Sequence, residues 1–174
     1  MSKWYYLLLA IPLLLTVAFI SSVAVNKNKK SNIEEIPIAT RYSEFILQQN
    51  KDLDTEEAQL IVEEVKLCSA VSGIDEAIIL SMISLESSYN PLAVSPAGAI
   101  GLMQVHAGVW PNASFSISSN IRQGCSILIH YYLAKHRNIA KTLQRYNGGG
   151  DDYPLAVLKL AGEIRREYGK KKTR

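Results

Sequence analysis

Apolar residues after residue 41 recur at the spacing of helices. They return every three or four positions, which places them on one face of a helix. The strict alternation of apolar and polar residues that marks a half-buried strand is nearly absent. The pattern predicts helices over residues 42–49, 55–71, 75–87 and 139–145, with further helices after Asn120 and after Asp151 or Asp152. We therefore predict a mainly α, compact helical domain over residues 42–168.

Residues with strong local preferences mark the ends of these helices. Asp54 or Thr55 suits the N-cap position of the second helix, and Gly73 suits the position just after its end. Asn120 is predicted as the N-cap of the fourth helix. Residues 105–119 contain turn-forming residues and no helical pattern, so they are predicted to be mostly loop.

The first 25 residues differ from the rest of the chain, because residues 4–25 carry no charge. This run of 22 residues is long enough to cross a bilayer and is longer than the usual core of a signal peptide. We predict a transmembrane anchor over residues 1–25, with a cleaved signal peptide as the alternative. Residues 26–41 are polar and contain a proline, so they are predicted to be a tether.

Charge and cysteine content change this picture little. Beyond the apolar segment, Lys and Arg outnumber Asp and Glu by only 18 to 16. Several of the basic residues lie in the tail over residues 169–174, which is predicted to be a solvated end. Cys68 and Cys125 both fall on predicted helices. They either pair in an oxidising compartment or are two buried, small apolar residues.

One acidic residue, Glu86, falls on the apolar side of the helix predicted over residues 75–87. At about 100° per residue, only Leu80 points away from an apolar side made of Ile78, Ile79, Met82, Ile83 and Leu85. Burial disfavours the charged carboxylate and raises its pKa, which suits a general acid near neutral pH. The alternative is a helix-end glutamate that pairs with a lysine or an arginine.

The residues from Glu86 onward form four motif blocks. They read E-S-x-x-N-P from Glu86, S-x-x-G-A-x-G-L-M-Q from Ser95, N-I-x-x-G from Asn120 and Y-N-x-G from Tyr146. Four blocks in this order resemble the soluble lytic transglycosylase family, relatives of goose-type lysozyme, over residues 57–168. The sequence departs from the family at Val105-His106, where members often carry a proline shortly after the glutamine.

The resemblance implies a lysozyme-like helical fold and a peptidoglycan lytic transglycosylase. Glu86 would first protonate the bond between N-acetylmuramic acid and N-acetylglucosamine. It would then act as the base toward the muramic 6-hydroxyl, which closes a 1,6-anhydro ring while the substrate's own N-acetyl group stabilises the intermediate. The resemblance assigns substrate contacts to Ser87, Met103, Gln104, Tyr146 and Asn147.

Each of these assignments has a plainer alternative. Ser87 can brace the helix end, and Tyr146 can be an ordinary core aromatic residue. Asp151 or Asp152 can bend toward the cleft and provide the second carboxylate of a hydrolytic lysozyme. A non-catalytic, peptidoglycan-binding component of a trans-envelope or virion assembly can use the same fold.

Other reaction classes lack their characteristic residues. The three histidines do not form an H-E-x-x-H pattern; they are His106, His130 and His136. The glycines lack the G-K-[ST] ending of a phosphate-binding loop. We therefore predict no metal, no cofactor and no nucleic-acid partner.

The substrate that the resemblance implies and the charges around the apolar segment favour opposite orientations. Lys27, Lys29 and Lys30 follow that segment and favour a cytoplasmic location for the rest of the chain. We give more weight to the chemistry and predict a membrane-anchored protein with its catalytic domain in the periplasm or on the cell-wall side; a virion membrane is the alternative. Its predicted partners are peptidoglycan glycan strands and a secretion, conjugation or virion-entry machine.

Overall fold

A computed structural model describes residues 38–169, and helices dominate this part of the chain. Two strands of two residues each form a small antiparallel hairpin between the third and fourth helices. The elements in order are α1 (Ile38–Gln49), α2 (Thr55–Ser72), α3 (Glu76–Ser87), β1 (Ala99–Ile100), β2 (Val105–His106), α4 (Ile117–Ala134), α5 (Ile139–Tyr146) and α6 (Asp152–Glu167). The predicted mainly α architecture is confirmed for the described residues.

Local capping residues define the ends of α2 as predicted. The Asp54 side chain accepts a hydrogen bond from the Glu57 backbone N–H at 2.8 Å, and the Glu57 carboxylate accepts one from the Asp54 N–H at 3.1 Å. This reciprocal pair is a capping box. At the other end Gly73 has a φ of 72°, a left-handed conformation that glycine adopts without steric strain.

Two helices begin earlier than the sequence predicts. Helix α1 begins at Ile38, so the last four residues of the predicted tether are helical. Arg41 and Tyr42 are both 5 % exposed, because α1 packs against α2. Helix α4 begins at Ile117, so Asn120 is not its N-cap and instead lies fully buried in its first turn.

Helix α3 is the centre of the hydrophobic core. Helices α2 and α6 pack against it, and every residue from 77 to 83 is buried. The prediction that Leu80 points away from the apolar side is therefore wrong, because neighbouring elements cover the helix on all sides at that level. Leu85 is 45 % exposed, so its predicted place on the buried side is wrong as well.

Helices α2 and α4 are joined by a covalent bond and an ion pair. Cys68 and Cys125 form a disulfide, which decides between the two alternatives left open by the sequence. One turn away, Arg122 donates two hydrogen bonds to the buried Glu64 carboxylate, at 2.6 and 2.8 Å. Burial is the largest single effect and raises the pKa of Glu64, but the hydrogen bonds from Arg122 and Ser118 and the positive charge of Arg122 together outweigh it, so the net pKa is lowered.

Part of the predicted organisation lies outside the described residues. This holds for the anchor predicted over residues 1–25, for the tether up to residue 37 and for residues 170–174. Among the described helices, none is both long enough and apolar enough to cross a membrane.

Candidate active site

The carboxylate of Glu86 meets the hydroxyl of Tyr153 where two helices converge. Glu86 lies in the last turn of α3, and Tyr153 lies in the first turn of α6, the helix that packs along α3. The Tyr153 hydroxyl donates a hydrogen bond to Glu86 Oε1 at 2.6 Å. Within residues 38–169 no lysine or arginine forms an ion pair with Glu86, so the alternative of a charge-paired, helix-end glutamate is wrong for these residues.

Burial and this hydrogen bond act on the Glu86 carboxyl group in opposite directions. Burial removes water from the charged form and raises the pKa, whereas the Tyr153 hydroxyl stabilises the charged form and lowers it. Burial is the larger effect, and the pKa of Glu86 lies above its usual value of 4.5. This is the direction expected for an acid that donates a proton at moderately acidic or neutral pH.

A second tyrosine, Tyr146, lies near enough to Glu86 for the carboxylate charge to raise its pKa. It is the last residue of α5, and its hydroxyl donates a hydrogen bond to the Met103 carbonyl oxygen at 2.9 Å. Burial is the main cause that raises the pKa of both Tyr146 and Tyr153, and the negative charge of Glu86 raises them further. Both phenols therefore stay protonated and act as hydrogen-bond donors beside the carboxylate.

The loop that carries Met103 and Gln104 is fixed from behind by Asn120. The Asn120 Oδ1 accepts a hydrogen bond from the Met103 N–H at 2.8 Å. Its Nδ2 donates to the carbonyl oxygens of Ile100 at 3.0 Å and Ser114 at 2.8 Å. One buried amide side chain thus satisfies three backbone groups, which explains why the second and third motif blocks belong to one structural unit.

Two motif glycines are required by close packing in this unit. A side chain at Gly101, where φ is 74°, would collide with the Asn120 amide. A Cβ atom at Gly124 in α4 would lie 2.6 Å from both Cβ and Sδ of Met103. The loop is therefore pressed against α4 with no room for a methyl group at either position.

The structure assigns different environments to the residues predicted to contact substrate. Met103 is fully buried against α4, so the prediction that its side chain lines a sugar cleft is wrong. The Ser87 hydroxyl lies 3.0 Å from the carbonyl oxygens of both Ile83 and Leu102, which makes it a brace between α3 and the loop. For Gln104, Tyr146 and Asn147, contact with substrate stays a prediction.

Gln104 and Asn147 are two predicted contact residues that keep accessible surface. Gln104 is half-buried with a φ of 47°, and its Nε2 donates to the Gly101 carbonyl oxygen at 2.9 Å. Asn147 is exposed and caps the C-terminus of α5. Both side chains retain an amide oxygen that can accept a hydrogen bond from a ligand.

Sequence analysis missed Tyr153, although it is the hydrogen-bond partner of Glu86. It stands 67 positions from Glu86 and belongs to none of the four motif blocks. The neighbouring acids have other environments: Asp151 accepts a hydrogen bond from the Gln144 amide at 2.5 Å, and Asp152 is exposed. The available signal was an aromatic residue in the first turn of the helix that follows Y-N-x-G.

A helical domain with one half-buried glutamate at a helix end has the form that the lysozyme-like resemblance predicts. The sequence model of the family described as "Transglycosylase SLT domain" matches residues 68–154, which is half of the 174-residue chain. The chain belongs to this family, and the predicted resemblance is confirmed.

Curated relatives carry the name membrane-bound lytic murein transglycosylase C. The protein from Edwardsiella ictaluri is 33 % identical over 114 residues, which is 53 % of this chain and 32 % of the relative. The protein from Pectobacterium atrosepticum is 37 % identical over 107 residues, which is 49 % of this chain and 30 % of the relative. The chain thus spans about a third of the length of these relatives.

A solved structure with a similar fold is the 70 kDa soluble lytic transglycosylase from Escherichia coli. The match has a TM-score of 0.57 and 21 % sequence identity, and it covers 84 % of this chain and 32 % of that chain. At this identity the comparison supports the fold alone.

Proposed function

We propose that this protein is a peptidoglycan lytic transglycosylase with Glu86 as its single general acid and base. The observation that carries the proposal is the Glu86 carboxyl group, which is half-buried, has a raised pKa and is hydrogen-bonded to a neutral phenol. The family to which the chain belongs and the names of its relatives favour the same chemistry.

In the first step, protonated Glu86 donates its proton to the oxygen that links N-acetylmuramic acid to N-acetylglucosamine. The bond between this oxygen and C1 of the muramic sugar breaks, and the N-acetylglucosamine residue leaves with a new hydroxyl group. Positive charge develops at C1, and the carbonyl oxygen of the substrate's own N-acetyl group stabilises it. Tyr153 supports this step, because its hydrogen bond stabilises the carboxylate that Glu86 becomes.

In the second step, the Glu86 carboxylate removes the proton of the muramic 6-hydroxyl. That oxygen forms a bond to C1 and displaces the N-acetyl oxygen, so a 1,6-anhydro ring closes and Glu86 is protonated again. The 6-hydroxyl is tethered to the reacting sugar, and its high effective concentration favours it over water. We assign the orientation of this sugar to Gln104, Tyr146 and Asn147.

A hydrolytic lysozyme needs a second carboxylate that activates water or forms a covalent intermediate. The Asp151 carboxylate accepts a hydrogen bond from Gln144. The causes of the pKa shift of Glu86 are burial and the Tyr153 hydrogen bond, and neither involves a second carboxylate. These contacts favour the anhydro product over hydrolysis. They also favour an active enzyme over a purely binding component, because a glutamate without a catalytic role would be more stable on a solvated surface.

We further propose that the domain works outside the cytoplasm and is attached to a membrane. The Cys68–Cys125 disulfide suits an oxidising compartment, because cytosolic thiols are kept reduced. The apolar segment predicted over residues 1–25 would supply the attachment, in keeping with the names of the relatives. A secretion, conjugation or virion-entry machine is the partner class proposed for this setting.

The test is the substitution Glu86→Gln in the full-length protein, assayed on purified peptidoglycan. We expect release of muropeptides to fall by at least about a thousandfold, because general acid–base steps contribute about 10²–10⁴-fold each and one group performs both. Mass spectrometry of the wild-type products should show the anhydro form, and products heavier by one water, about 18 Da, would favour a lysozyme. Clearing at the wild-type rate by folded Glu86→Gln protein would refute the assignment of Glu86.

The fold control for this variant follows from the pKa of Glu86. A raised pKa in the folded state means that the stabilisation from Glu86 is present below the ordinary carboxyl pKa and is lost as the pH rises through the folded-state value. The Gln side chain cannot ionise, so the Glu86→Gln variant avoids this loss of stability, and its melting temperature at pH 7 should equal or exceed that of the wild type. The difference in melting temperature between variant and wild type should shrink in acid.

A further inference from the structure

The turn that ends α3, two residues after Glu86, has a left-handed backbone at two residues that are not glycine. Ser88 has a φ of 50° and Tyr89 has a φ of 60°. This conformation brings the Cβ atom too close to the following carbonyl oxygen, so it persists in such residues only where neighbouring groups hold it. Ser88 and Tyr89, which we call the left-handed turn, directly follow the last turn of α3, which carries Glu86.

The side chain of Tyr89 bonds the left-handed turn back onto α3 itself. This side chain is fully buried, and its hydroxyl donates a hydrogen bond to the Leu80 carbonyl oxygen at 2.8 Å. The Tyr89 ring also meets the ring of Phe45 in α1 at 89°, with the two centroids 6.0 Å apart. The residue that ends α3 is therefore packed against α1 as well as against its own helix.

Asn50 forms a second bond, to the backbone of the left-handed turn. It directly follows the last residue of α1, and its Nδ2 donates a hydrogen bond to the Tyr89 carbonyl oxygen at 3.0 Å. Its Oδ1 accepts a hydrogen bond from the Asp52 N–H at 2.9 Å, which fixes the same side chain on its own turn. One carboxamide thus joins the connection between α1 and α2 to the end of α3. Asn50 belongs to none of the motif blocks and precedes residues 68–154, which match the family model.

We propose that Asn50 is a positioning residue for Glu86, which acts by holding the left-handed turn and with it the last turn of α3. The proposal rests on the proposed function and gives the end of α1 a part in the reaction. The last carbonyl groups of a helix lack partners within the helix, so the end of α3 depends on outside bonds for a fixed geometry. Glu86 must first give and then take a proton at defined oxygens, and a displacement of about 1 Å costs about a hundredfold in rate.

The substitution Asn50→Asp tests this hydrogen bond with little change of shape. The new carboxylate keeps an oxygen for the Asp52 N–H but has no hydrogen to donate to the Tyr89 carbonyl oxygen. The matched control is Gln48→Ala, which removes another carboxamide from the same end of α1. Gln48 accepts a hydrogen bond from the Tyr168 hydroxyl at 2.8 Å, so its loss weakens the packing of α1 at a different contact.

The first measurement is amide hydrogen exchange of the full-length proteins in detergent solution, which does not depend on activity. The N–H groups of Ser88 and Asn90 donate to carbonyl oxygens of α3 at 2.9 and 3.0 Å. In Asn50→Asp we expect these two amides to exchange at least about tenfold faster than in the wild type, because the turn opens locally without its outside bond. The measurement is made well below the melting temperature of every variant. In Gln48→Ala the exchange of both amides should equal that of the wild type.

The second measurement is the rate of cleavage of solubilised glycan strands at the same temperature. Asn50→Asp should lower kcat by about ten- to a hundredfold and change KM by less than about twofold, because Asn50 acts on the group that transfers the proton and not on substrate binding. Ser88→Gly combined with Asn50→Asp should recover most of kcat, since glycine adopts the left-handed conformation without support. Gln48→Ala should keep the kcat of the wild type.

The outcomes separate this proposal from the proposed function. Exchange of the Ser88 and Asn90 amides at the wild-type rate in Asn50→Asp overturns the proposal, and so does a wild-type kcat. A loss of kcat that Gln48→Ala shares, or that Ser88→Gly does not recover, assigns Asn50 a purely structural role and also overturns it. If the wild type cleaves nothing, the proposed function fails, and the exchange measurement alone then supports or overturns the hold of Asn50 on the left-handed turn.

Discussion

Tyr153 affects the balance between the two charge states that the proposed mechanism requires of Glu86. A carboxylate buried among apolar residues would hold its proton strongly and give it up poorly. The hydrogen bond from the Tyr153 hydroxyl offsets part of this effect, because it stabilises the ionised form. Glu86 therefore combines an elevated pKa with a stabilised conjugate base.

The first prediction concerns Tyr153→Phe. In the proposed mechanism activity requires protonated Glu86, so the rate is expected to fall as the pH rises through its pKa. Without the Tyr153 hydrogen bond this pKa should rise, and the alkaline limb of the kcat/KM profile should move to higher pH. A hydrogen bond to a charged group contributes about 1.5–3 kcal/mol, so we expect a displacement of about one to two pH units.

The control for this variant is Tyr168→Phe, which removes another tyrosine hydroxyl from the C-terminal end of α6. The Tyr168 hydroxyl donates to Gln48 at 2.8 Å rather than to Glu86. Its pH profile should match that of the wild type. An alkaline limb that stays in place or moves to lower pH in Tyr153→Phe would contradict the role given to this hydrogen bond.

At the scale of elements, helix α4 determines the position of the loop over residues 99–106. Asn120 binds the loop backbone, and Gly124 leaves the space that the Met103 side chain fills. The Met103 carbonyl oxygen in turn receives the Tyr146 hydroxyl. A displacement of α4 relative to this loop would thus move Gln104 and the partner of Tyr146 together.

The second prediction compares two glycines inside helices. Gly124→Ala should destabilise the fold by about 1–3 kcal/mol, because overpacking forces Met103 to move. Gly162→Ala in α6 has nothing within 4 Å of the added methyl group, so it should stabilise the fold by about 0.5–1 kcal/mol through helix propensity. Urea unfolding of both variants measures the difference.

The same pair of variants tests the link to the site. Gly124→Ala should also lower activity, because the displaced Met103 carries the acceptor for Tyr146. Gly162→Ala should keep wild-type activity. Equal stabilities in the two variants would show that α4 and the loop are not packed as described.

At the scale of the whole molecule, the disulfide and the Glu64–Arg122 pair join α2 to α4 on the same side of the core. The two cysteines are 57 positions apart, so their bond restricts a long loop of the unfolded chain. In the chain-entropy view this loop length corresponds to about 4 kcal/mol of stabilisation. A domain of this size has a total stability of about 5–15 kcal/mol, so the bond is a large share of it.

The third prediction is that reduction of the disulfide lowers the stability strongly. The variant with Cys68→Ser and Cys125→Ser should unfold at a clearly lower urea concentration, with a loss of up to about 4 kcal/mol. A reducing agent should lower the melting temperature of the wild type to that of the variant and should not affect the variant. Identical unfolding of wild type and variant without reductant would rule out a stabilising disulfide.

Several features could be predicted from the sequence because their causes are local. A helix cap such as Asp54 acts on a backbone group three residues away, and Gly73 ends a helix through its own φ angle. Glu86 could be identified because an acidic residue in an apolar stretch stands out in the sequence. The four motif blocks then indicated the family, which the comparisons confirm.

Other features depended on contacts between distant residues. The sequence did not predict that α1 begins in the polar segment, since the burial of Arg41 follows from the packing of α1 on α2. It also placed Leu80 and Leu85 on the wrong sides of α3. A single amphipathic face assumes one buried and one solvent side along the whole helix, whereas α3 is covered on all sides over residues 77–83 and is partly exposed in its last turn.

The sequence by itself determined the helical class and most of the helix ends, and it singled out Glu86 as the candidate acid. The tertiary structure alone decided that Tyr153 meets Glu86, that Met103 is buried and that Cys68 pairs with Cys125. The physical reason is the range of the interactions. Caps and periodicity act within a few residues along the chain, whereas these three contacts exist only because α2, α3, α4 and α6 pack together and bring distant positions within bonding distance.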